Sequence, residues 1–128
     1  MNRILFVEGD EAVRKLIGRV LETAGYSVFA CSAREAAQKF RVVSPDLVLL
    51  DLTQPEAESG QALDEMASGA DLVPVIMTTA IPGQPKESIR KKVSVFMEKP
   101  LDPKQLLQTI EHLLQESLQS RGLHMVSA

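Results

Sequence analysis

The chain has 128 residues, of which 45% are hydrophobic and 24% charged, with a formal net charge of −3. This length and composition suit one globular domain with its own core. The negative charge argues against a domain built on non-specific nucleic-acid binding, which usually needs a basic face. No stretch approaches the roughly 20 apolar residues of a membrane span.

The N-terminal stretch predicts a strand followed directly by a helix. Ile4 to Val7 is an apolar run without polar alternation, which is typical of a strand buried on both faces. Glu8-Gly9-Asp10 follows it, and apolar residues then recur at spacings of three and four, as on the buried face of a helix. Asp10 is placed to cap this helix and Gly25 to end it.

A second strand and helix precede a third apolar run. Tyr26 to Cys31 predicts a strand in which Cys31, the single cysteine, is a small core residue rather than a nucleophile. Ser32 to Glu35 has the form of a capping box and predicts a helix that ends near Phe40. The next apolar run is a buried strand that ends in a carboxylate, Leu47-Val48-Leu49-Leu50-Asp51.

The second half of the chain continues this alternation. After a polar loop, the predicted segments are a helix over about Gln61–Ala67, a strand over Pro74–Thr79, a helix over about Lys86–Lys92, a strand over Val95–Met97, and a helix capped by Asp102 that frays from about Ser120. Strands alternating with helices predict an α/β fold with a doubly wound, five-stranded parallel sheet in the order 2-1-3-4-5. Its ligand site is expected at the carboxyl ends of the first and third strands.

Polar residues follow four of these strands at the edge where the site is expected. They are Glu8 and Asp10, Asp51, Thr79, and Lys99. Each has an ordinary structural explanation, such as capping a helix or lying on the surface. Independent surface residues have no reason to share one end of adjacent strands, however, and clustered carboxylates need a compensating cation. Lysine supplies one such charge, and Mg²⁺, which prefers oxygen ligands, supplies another.

These segments, taken in order, resemble the receiver domain of response regulators in two-component signalling. The motifs that carry the resemblance lie between residue 2 and about residue 118 and are Ile4-Leu5-Phe6-Val7 with the acids after it, Pro45-Asp46-Leu47-Val48-Leu49-Leu50-Asp51-Leu52, Pro55, Gly60, Pro74-Val75-Ile76-Met77-Thr78-Thr79-Ala80 and Phe96-Met97-Glu98-Lys99-Pro100. The resemblance implies a flavodoxin-like three-layer sandwich. It also implies a phosphorelay switch rather than an enzyme with turnover.

The resemblance assigns a role to each matching residue. Asp51 matches the aspartate that accepts a phosphoryl group from a phosphohistidine of a sensor kinase. Thr79 matches the hydroxyl that binds the phosphoryl oxygen, and Lys99 matches the lysine that pairs with the aspartate and later with the phosphate. Phe96 matches the aromatic residue whose rotamer follows the threonine, and Thr53 the residue whose backbone carbonyl binds the metal.

The implied metal site departs from the family pattern. The first strand of the family is typically followed by two adjacent acids, whereas here Glu8 is followed by Gly9. The missing carboxylate is expected to weaken the site for divalent ions. The candidate Mg²⁺ ligands that remain are Glu8, Asp10, Asp51 and the carbonyl of Thr53.

The resemblance also implies the partners of the chain. They are a sensor histidine kinase or phosphotransfer protein, and a downstream protein that contacts the face formed by the fourth helix, fifth strand and fifth helix. The same face is a candidate homodimer contact. We expect a cytoplasmic receiver domain over residues 1–119 and a tail over residues 120–128, with no direct nucleic-acid binding and no membrane insertion.

Two other functions remain open from the sequence. A pseudo-receiver that acts as a protein-interaction module without phosphorylation is favoured by Gly9. A phosphohydrolase of the haloacid-dehalogenase type also combines Asp, Thr and Lys on a parallel sheet. That family needs a second aspartate two residues after the nucleophile, and the residue at this position, Thr53, argues against it.

Overall fold

Strands and helices alternate along the chain as the sequence predicts. A computed structural model describes residues 2–52, 56–67, 73–80 and 86–127. The strands are β1 (Arg3–Val7), β2 (Ser27–Cys31), β3 (Leu47–Asp51), β4 (Val75–Thr79) and β5 (Val95–Glu98). The helices are α1 (Glu11–Thr23), α2 (Ala36–Val43), preceded by a 3₁₀ turn (Ala33–Glu35), α3 (Glu56–Ala67), α4 (Glu87–Arg90) and α5 (Pro103–Ser127).

The five strands form one parallel sheet in the order β2-β1-β3-β4-β5, which confirms the predicted doubly wound topology. The chain leaves β1 towards one edge of the sheet and leaves β3 towards the other. The carboxyl ends of these two central strands therefore flank the crevice in which such sheets place their ligands. Within the described ranges, no helix combines the length and apolar character needed to cross a bilayer.

Alternate residues of the central strands supply two hydrophobic cores, one on each face of the sheet. The first core lies under α2, α3 and α4 and includes Leu5, Val48, Leu50, Leu63, Met66 and Ile89. The second lies under α1 and α5 and includes Ile4, Phe6, Leu21, Leu49, Leu106 and Ile110. Every residue of β3 is buried, since helices cover both faces, and this explains its unbroken apolar sequence. Cys31 is a buried member of the first core, as predicted.

The predicted ends of α1 are confirmed by the backbone around them. Asp10 adopts an extended conformation and its Oδ1 accepts hydrogen bonds from the N–H groups of Ala12 and Val13, at 2.9 and 3.1 Å. This is the N-cap arrangement, which satisfies donors that have no partner inside the helix. Gly25 follows the helix with a φ of +100°, a conformation that other residues rarely adopt.

Two predicted helix boundaries are wrong. α2 continues to Val43 instead of ending near Phe40, and it stops where Ser44 adopts a left-handed conformation with φ of 49°. α3 begins at Glu56, within the stretch predicted as a polar loop before Gln61. Acidic residues at the start of a helix interact favourably with its dipole, so the polar character of this segment did not exclude a helix.

The last two helices also differ from the prediction in length. α4 covers Glu87–Arg90 rather than Lys86–Lys92, and Ile89 is the one residue of α4 that is buried. α5 continues through Gly122 to Ser127 instead of fraying from about Ser120. The division into a domain and a C-terminal tail stays a prediction.

Candidate functional site

Asp51 lies at the carboxyl end of the buried central strand, where the sheet order reverses. It is the last residue of β3 and is 9% exposed. Its backbone carbonyl accepts a hydrogen bond from the hydroxyl of Ser59 in α3, at 3.0 Å. Strand β3 and helix α3 together hold the backbone of Asp51, so its carboxylate is presented from a rigid support.

Lys99 brings its ammonium group between two carboxylates. Its Nζ lies 2.8 Å from Oδ1 of Asp51 and 2.9 Å from Oε1 of Glu8. The backbone N–H of Lys99 donates to the carbonyl of Thr79 at 2.8 Å, and the peptide bond to Pro100 is cis. The predicted convergence of residues from β1, β3, β4 and β5 at one sheet edge is therefore present in the structure.

Glu8 is held at three of its oxygen atoms. Oε1 accepts from Lys99, and Oε2 accepts from the backbone N–H of Asp10 at 3.1 Å. The backbone carbonyl of Glu8 accepts from Nε and Nη2 of Arg14, at 3.0 and 2.6 Å. The side chain of Glu8 is 2% exposed, and burying a carboxylate this deeply is costly unless hydrogen bonds and an opposite charge compensate it.

The charge state of Lys99 follows from its two carboxylate neighbours. Burial lowers the pKa of Lys99, but the hydrogen bonds to Asp51 and Glu8 outweigh that effect and hold the pKa above its usual value. The ammonium is therefore charged at neutral pH. Two carboxylates and one ammonium leave this group of side chains with a net charge of −1.

The remaining candidate metal ligands do not add a carboxylate to this group. Gly9 has no side chain, and Oδ1 of Asp10 caps α1. Thr53 lies outside the described residues, so its carbonyl stays a prediction, as does a metal role for Asp10. In the part of the chain that the structure describes, no three Asp, Glu, His or Cys side chains are grouped to hold a metal ion. The described donor set fits the ammonium of Lys99 and does not fit a divalent ion.

The carboxylate of Asp51 has a hydroxyl neighbour, Thr78, that was not predicted as a site residue. Oγ1 of Thr78 lies 3.4 Å from Oδ1 of Asp51, a long hydrogen bond, and Thr78 is 2% exposed. The two residues are paired in the register of β3 and β4 and therefore share one face of the sheet. The pairing of β3 with β4 would have identified Thr78 as a neighbour of Asp51, but the sequence alone does not specify that pairing.

Thr79 and Phe96 lie on the strands predicted for them, β4 and β5. Thr79 is the last residue of β4, next to Lys99 through the backbone hydrogen bond described above. Phe96 lies on β5, paired in register with Met77, and is 37% exposed. Their roles in binding a phosphoryl group and in switching stay predictions.

Comparison with known proteins identifies the family to which this fold belongs. A family model described as the response regulator receiver domain matches residues 4–111, and the chain belongs to that family. The chain is 30% identical over 132 residues to the regulatory protein AtoC of Escherichia coli. This match covers 100% of this chain and 29% of AtoC. It is 28% identical over 113 residues to the chemotaxis protein CheY of Thermotoga maritima, covering 85% of this chain and 94% of CheY.

Solved structures agree as well. The CheY-like receiver domain protein of Methanospirillum hungatei JF-1 has a TM-score of 0.84 and 26% identity, covering 94% of this chain and 98% of that one. The chain is thus similar to nearly all of a CheY protein but to less than a third of AtoC.

Membership of this family sets the general function. Receiver domains belong to two-component systems, interact with histidine kinases and downstream effectors, and generally act as signalling domains rather than enzymes. Receiver domains typically bind Mg²⁺ at an acidic pocket. At the corresponding sheet edge of this chain, the described carboxylates are those of Glu8 and Asp51, and both contact Lys99. The matched family is not the haloacid-dehalogenase family, which argues against the phosphohydrolase alternative.

Proposed function

We propose that the chain accepts a phosphoryl group on Asp51 from a phosphohistidine of a sensor kinase or phosphotransfer protein. The observation that carries this proposal is the 2.8 Å contact between Nζ of Lys99 and Oδ1 of Asp51 at the carboxyl edge of the sheet. Membership of the receiver family supports it, because Asp51 lies within the matched residues.

The chemistry of the transfer suits this arrangement. A bond forms between phosphorus and a carboxylate oxygen of Asp51, and the bond between phosphorus and the histidine nitrogen breaks. The imidazole leaves with the electron pair and takes up a proton. Phosphoryl transfer depends on positioning and on neutralising charge, since the two anionic groups repel each other as they approach. Lys99 supplies a positive charge already in contact with the attacking carboxylate.

The proposed switch uses the ends of β4 and β5. The acyl phosphate attracts the Thr79 hydroxyl, and Phe96 turns into the space that the threonine leaves. Phe96 is partly exposed on β5, so its change of rotamer alters the face formed by α4, β5 and α5. We propose this face as the contact for a downstream protein or a second copy of the chain. A local change in charge thereby biases a two-state element.

A second candidate function is a receiver domain that works without phosphorylation. Gly9 favours it, because the family pattern has a carboxylate there. The contacts of Lys99 with Glu8 and Asp51 favour it as well, since they leave the pocket with a single net negative charge, which calls less strongly for a divalent cation. In this case the domain acts as a protein-interaction module.

Phosphoryl uptake separates the two functions. We would incubate the protein with acetyl phosphate, with and without Mg²⁺, and measure the intact mass. The expected result is one phosphoryl group per chain for the wild type and none for Asp51→Asn. If the folded wild type takes up no phosphoryl group under either condition, the first function is wrong and the interaction module is favoured.

An aspartate at the other end of the same strand provides a matched control. Asp46 directly precedes β3, and its Oδ2 accepts a hydrogen bond from the backbone N–H of Arg3 at 2.7 Å. Asp46→Asn removes the same charge from the chain without touching the pocket. This variant should be phosphorylated to the same extent as the wild type.

A further inference from the structure

The negative charge of the acidic pocket is partly compensated by a residue of the chain itself. The ammonium of Lys99 lies within 2.9 Å of a carboxylate oxygen on either side, one from Glu8 and one from Asp51. Glu8 has a side chain one methylene longer than the aspartate typical of this position. This length places its carboxylate against the lysine.

Polar groups of the pocket already make hydrogen bonds within the chain. Both carboxylate oxygens of Glu8 accept hydrogen bonds, from Lys99 and from the backbone N–H of Asp10. Turning the side chain of Glu8 towards a new cation would therefore break both of these hydrogen bonds, while Arg14 holds the backbone carbonyl of the same residue in place. Among the residues that the structure describes, no buried side-chain nitrogen or oxygen lacks a hydrogen-bond partner.

A divalent ion needs what this pocket lacks. Mg²⁺ requires near-octahedral oxygen coordination and gives up its own water reluctantly, so carboxylate ligands with open positions are needed to hold it. Gly9 removes one such ligand, and the Asp10 carboxylate is engaged by the backbone of α1. The difference between this pocket and the metal-binding pocket typical of the family is therefore located at Gly9.

We propose that Lys99 is the resident cation of this pocket, bridging Glu8 and Asp51 in place of a divalent ion, and that Gly9 is the residue that decides between the two. The proposal deepens the proposed function, since it concerns the same site, but metal binding and phosphoryl uptake are measured independently. A receiver domain of this kind keeps its resting structure without Mg²⁺.

A substitution at Gly9 tests the proposal directly. A Cβ added at Gly9 would meet no atom within 4 Å, and the backbone there does not have the positive φ that would strain a side chain. Gly9→Asp is therefore expected to fold and to add the missing ligand. Gly9→Asn has the same shape without the charge and serves as the control.

The measurement is calorimetric titration with Mg²⁺ and with Mn²⁺, together with the thermal midpoint with and without each ion. The wild type and Gly9→Asn should show no saturable binding at millimolar ion and no change in midpoint. Gly9→Asp should bind roughly tenfold more tightly or better, because affinity increases with the number of charged ligands, and its midpoint should rise with ion concentration. Lys99→Met, which leaves both carboxylates uncompensated, should also gain affinity.

The outcomes separate this inference from the proposed function. Wild-type binding as tight as that of Gly9→Asp would overturn the inference, and so would a Lys99→Met variant that binds no better than the wild type. Phosphoryl uptake that strictly requires Mg²⁺ would overturn the inference while upholding Asp51 as the acceptor. A wild type that neither binds Mg²⁺ nor accepts phosphate would uphold the inference and overturn the proposed function.

Discussion

Removing the ammonium of Lys99 should destabilise the fold by far more than removing an exposed lysine. In Lys99→Met the aliphatic part of the side chain is largely kept, while the charge between Glu8 and Asp51 is lost. Both carboxylates are nearly inaccessible to water, with side-chain exposures of 2% and 12%. They would then repel each other without a counterion.

The expected magnitude follows from this burial. Breaking a buried ion pair by removing one partner typically costs about 3–5 kcal/mol, because the other charge is left uncompensated. The side chain of Lys99 is 19% exposed, so some water reaches the site and the lower end, about 3 kcal/mol, is appropriate. Since a domain of this kind is stable by only about 5–15 kcal/mol, the loss is a large fraction of the total.

Urea unfolding at neutral pH and low salt measures this loss. With an m-value of about 2 kcal/mol per molar, the midpoint should fall by about 1.5 M. Lys15→Met is the matched control, because Lys15 pairs with Glu11 at 3.3 Å but the two side chains are 78% and 77% exposed. Such a pair contributes less than about 0.5 kcal/mol.

A double variant tests whether the uncompensated charges cause the loss. Adding Glu8→Gln to Lys99→Met removes one of the uncompensated charges and keeps an acceptor for the Asp10 N–H, so part of the stability should return. The reasoning is refuted if Lys99→Met unfolds at the same midpoint as Lys15→Met. It is also refuted if the added Gln brings no recovery.

Two further predictions concern groups outside the pocket. Asp10→Ala should lower the free energy of unfolding by about 1 kcal/mol, because the N-cap of α1 is lost. Asp10→Ser should retain most of the stability, since serine is also a good N-cap. Equal losses for the two variants in urea unfolding would contradict the capping role. For Cys31, burial and the nearby Glu35 raise the pKa of the thiol to about 11, so native protein should react slowly with iodoacetamide at pH 8 and rapidly once unfolded. Because the unfolded thiol ionises above about pH 8.5 while the folded one stays neutral, the stability of the wild type relative to Cys31→Ala should decrease as pH rises from there towards 11.

The sheet was predictable because burial on both faces leaves a clear pattern in the sequence. β3 consists of apolar residues up to its final aspartate, and no surface strand has that composition. The ends of α1 were predictable for a similar reason, since Asp10 and Gly25 have chemical properties that suit a helix cap and a positive φ. The end of α2 was not, because a serine in the left-handed region at Ser44 is set by the surrounding structure rather than by its own preference.

The site was predictable at the level of strand ends but not of side-chain contacts. The positions of Asp51 and Lys99 follow from topology, because parallel strands end at one edge. The contact of Lys99 with Glu8 depends on the lengths of the two side chains, because the strands that they follow, β5 and β1, are separated in the sheet by β4 and β3. Thr78 was missed because its approach to Asp51 depends on the strand register, which a shift of one residue would reverse.

The chain departs from the family pattern in the longer side chain of Glu8 and in the missing acid at Gly9. Both departures bear on the net charge of the pocket. Two acids after the first strand, together with the acceptor aspartate and the lysine, would carry a net charge of −2 and call for a divalent ion. With Glu8 alone the charge is −1, and the longer side chain brings that charge to the lysine. A phosphoryl group on Asp51 would return the pocket to about −2, since it carries roughly two negative charges where the carboxylate had one. Lys99 must then be shared between the phosphate and Glu8. A phosphoryl group on Asp51 would therefore change the environment of the buried Glu8 through the lysine that the two residues share.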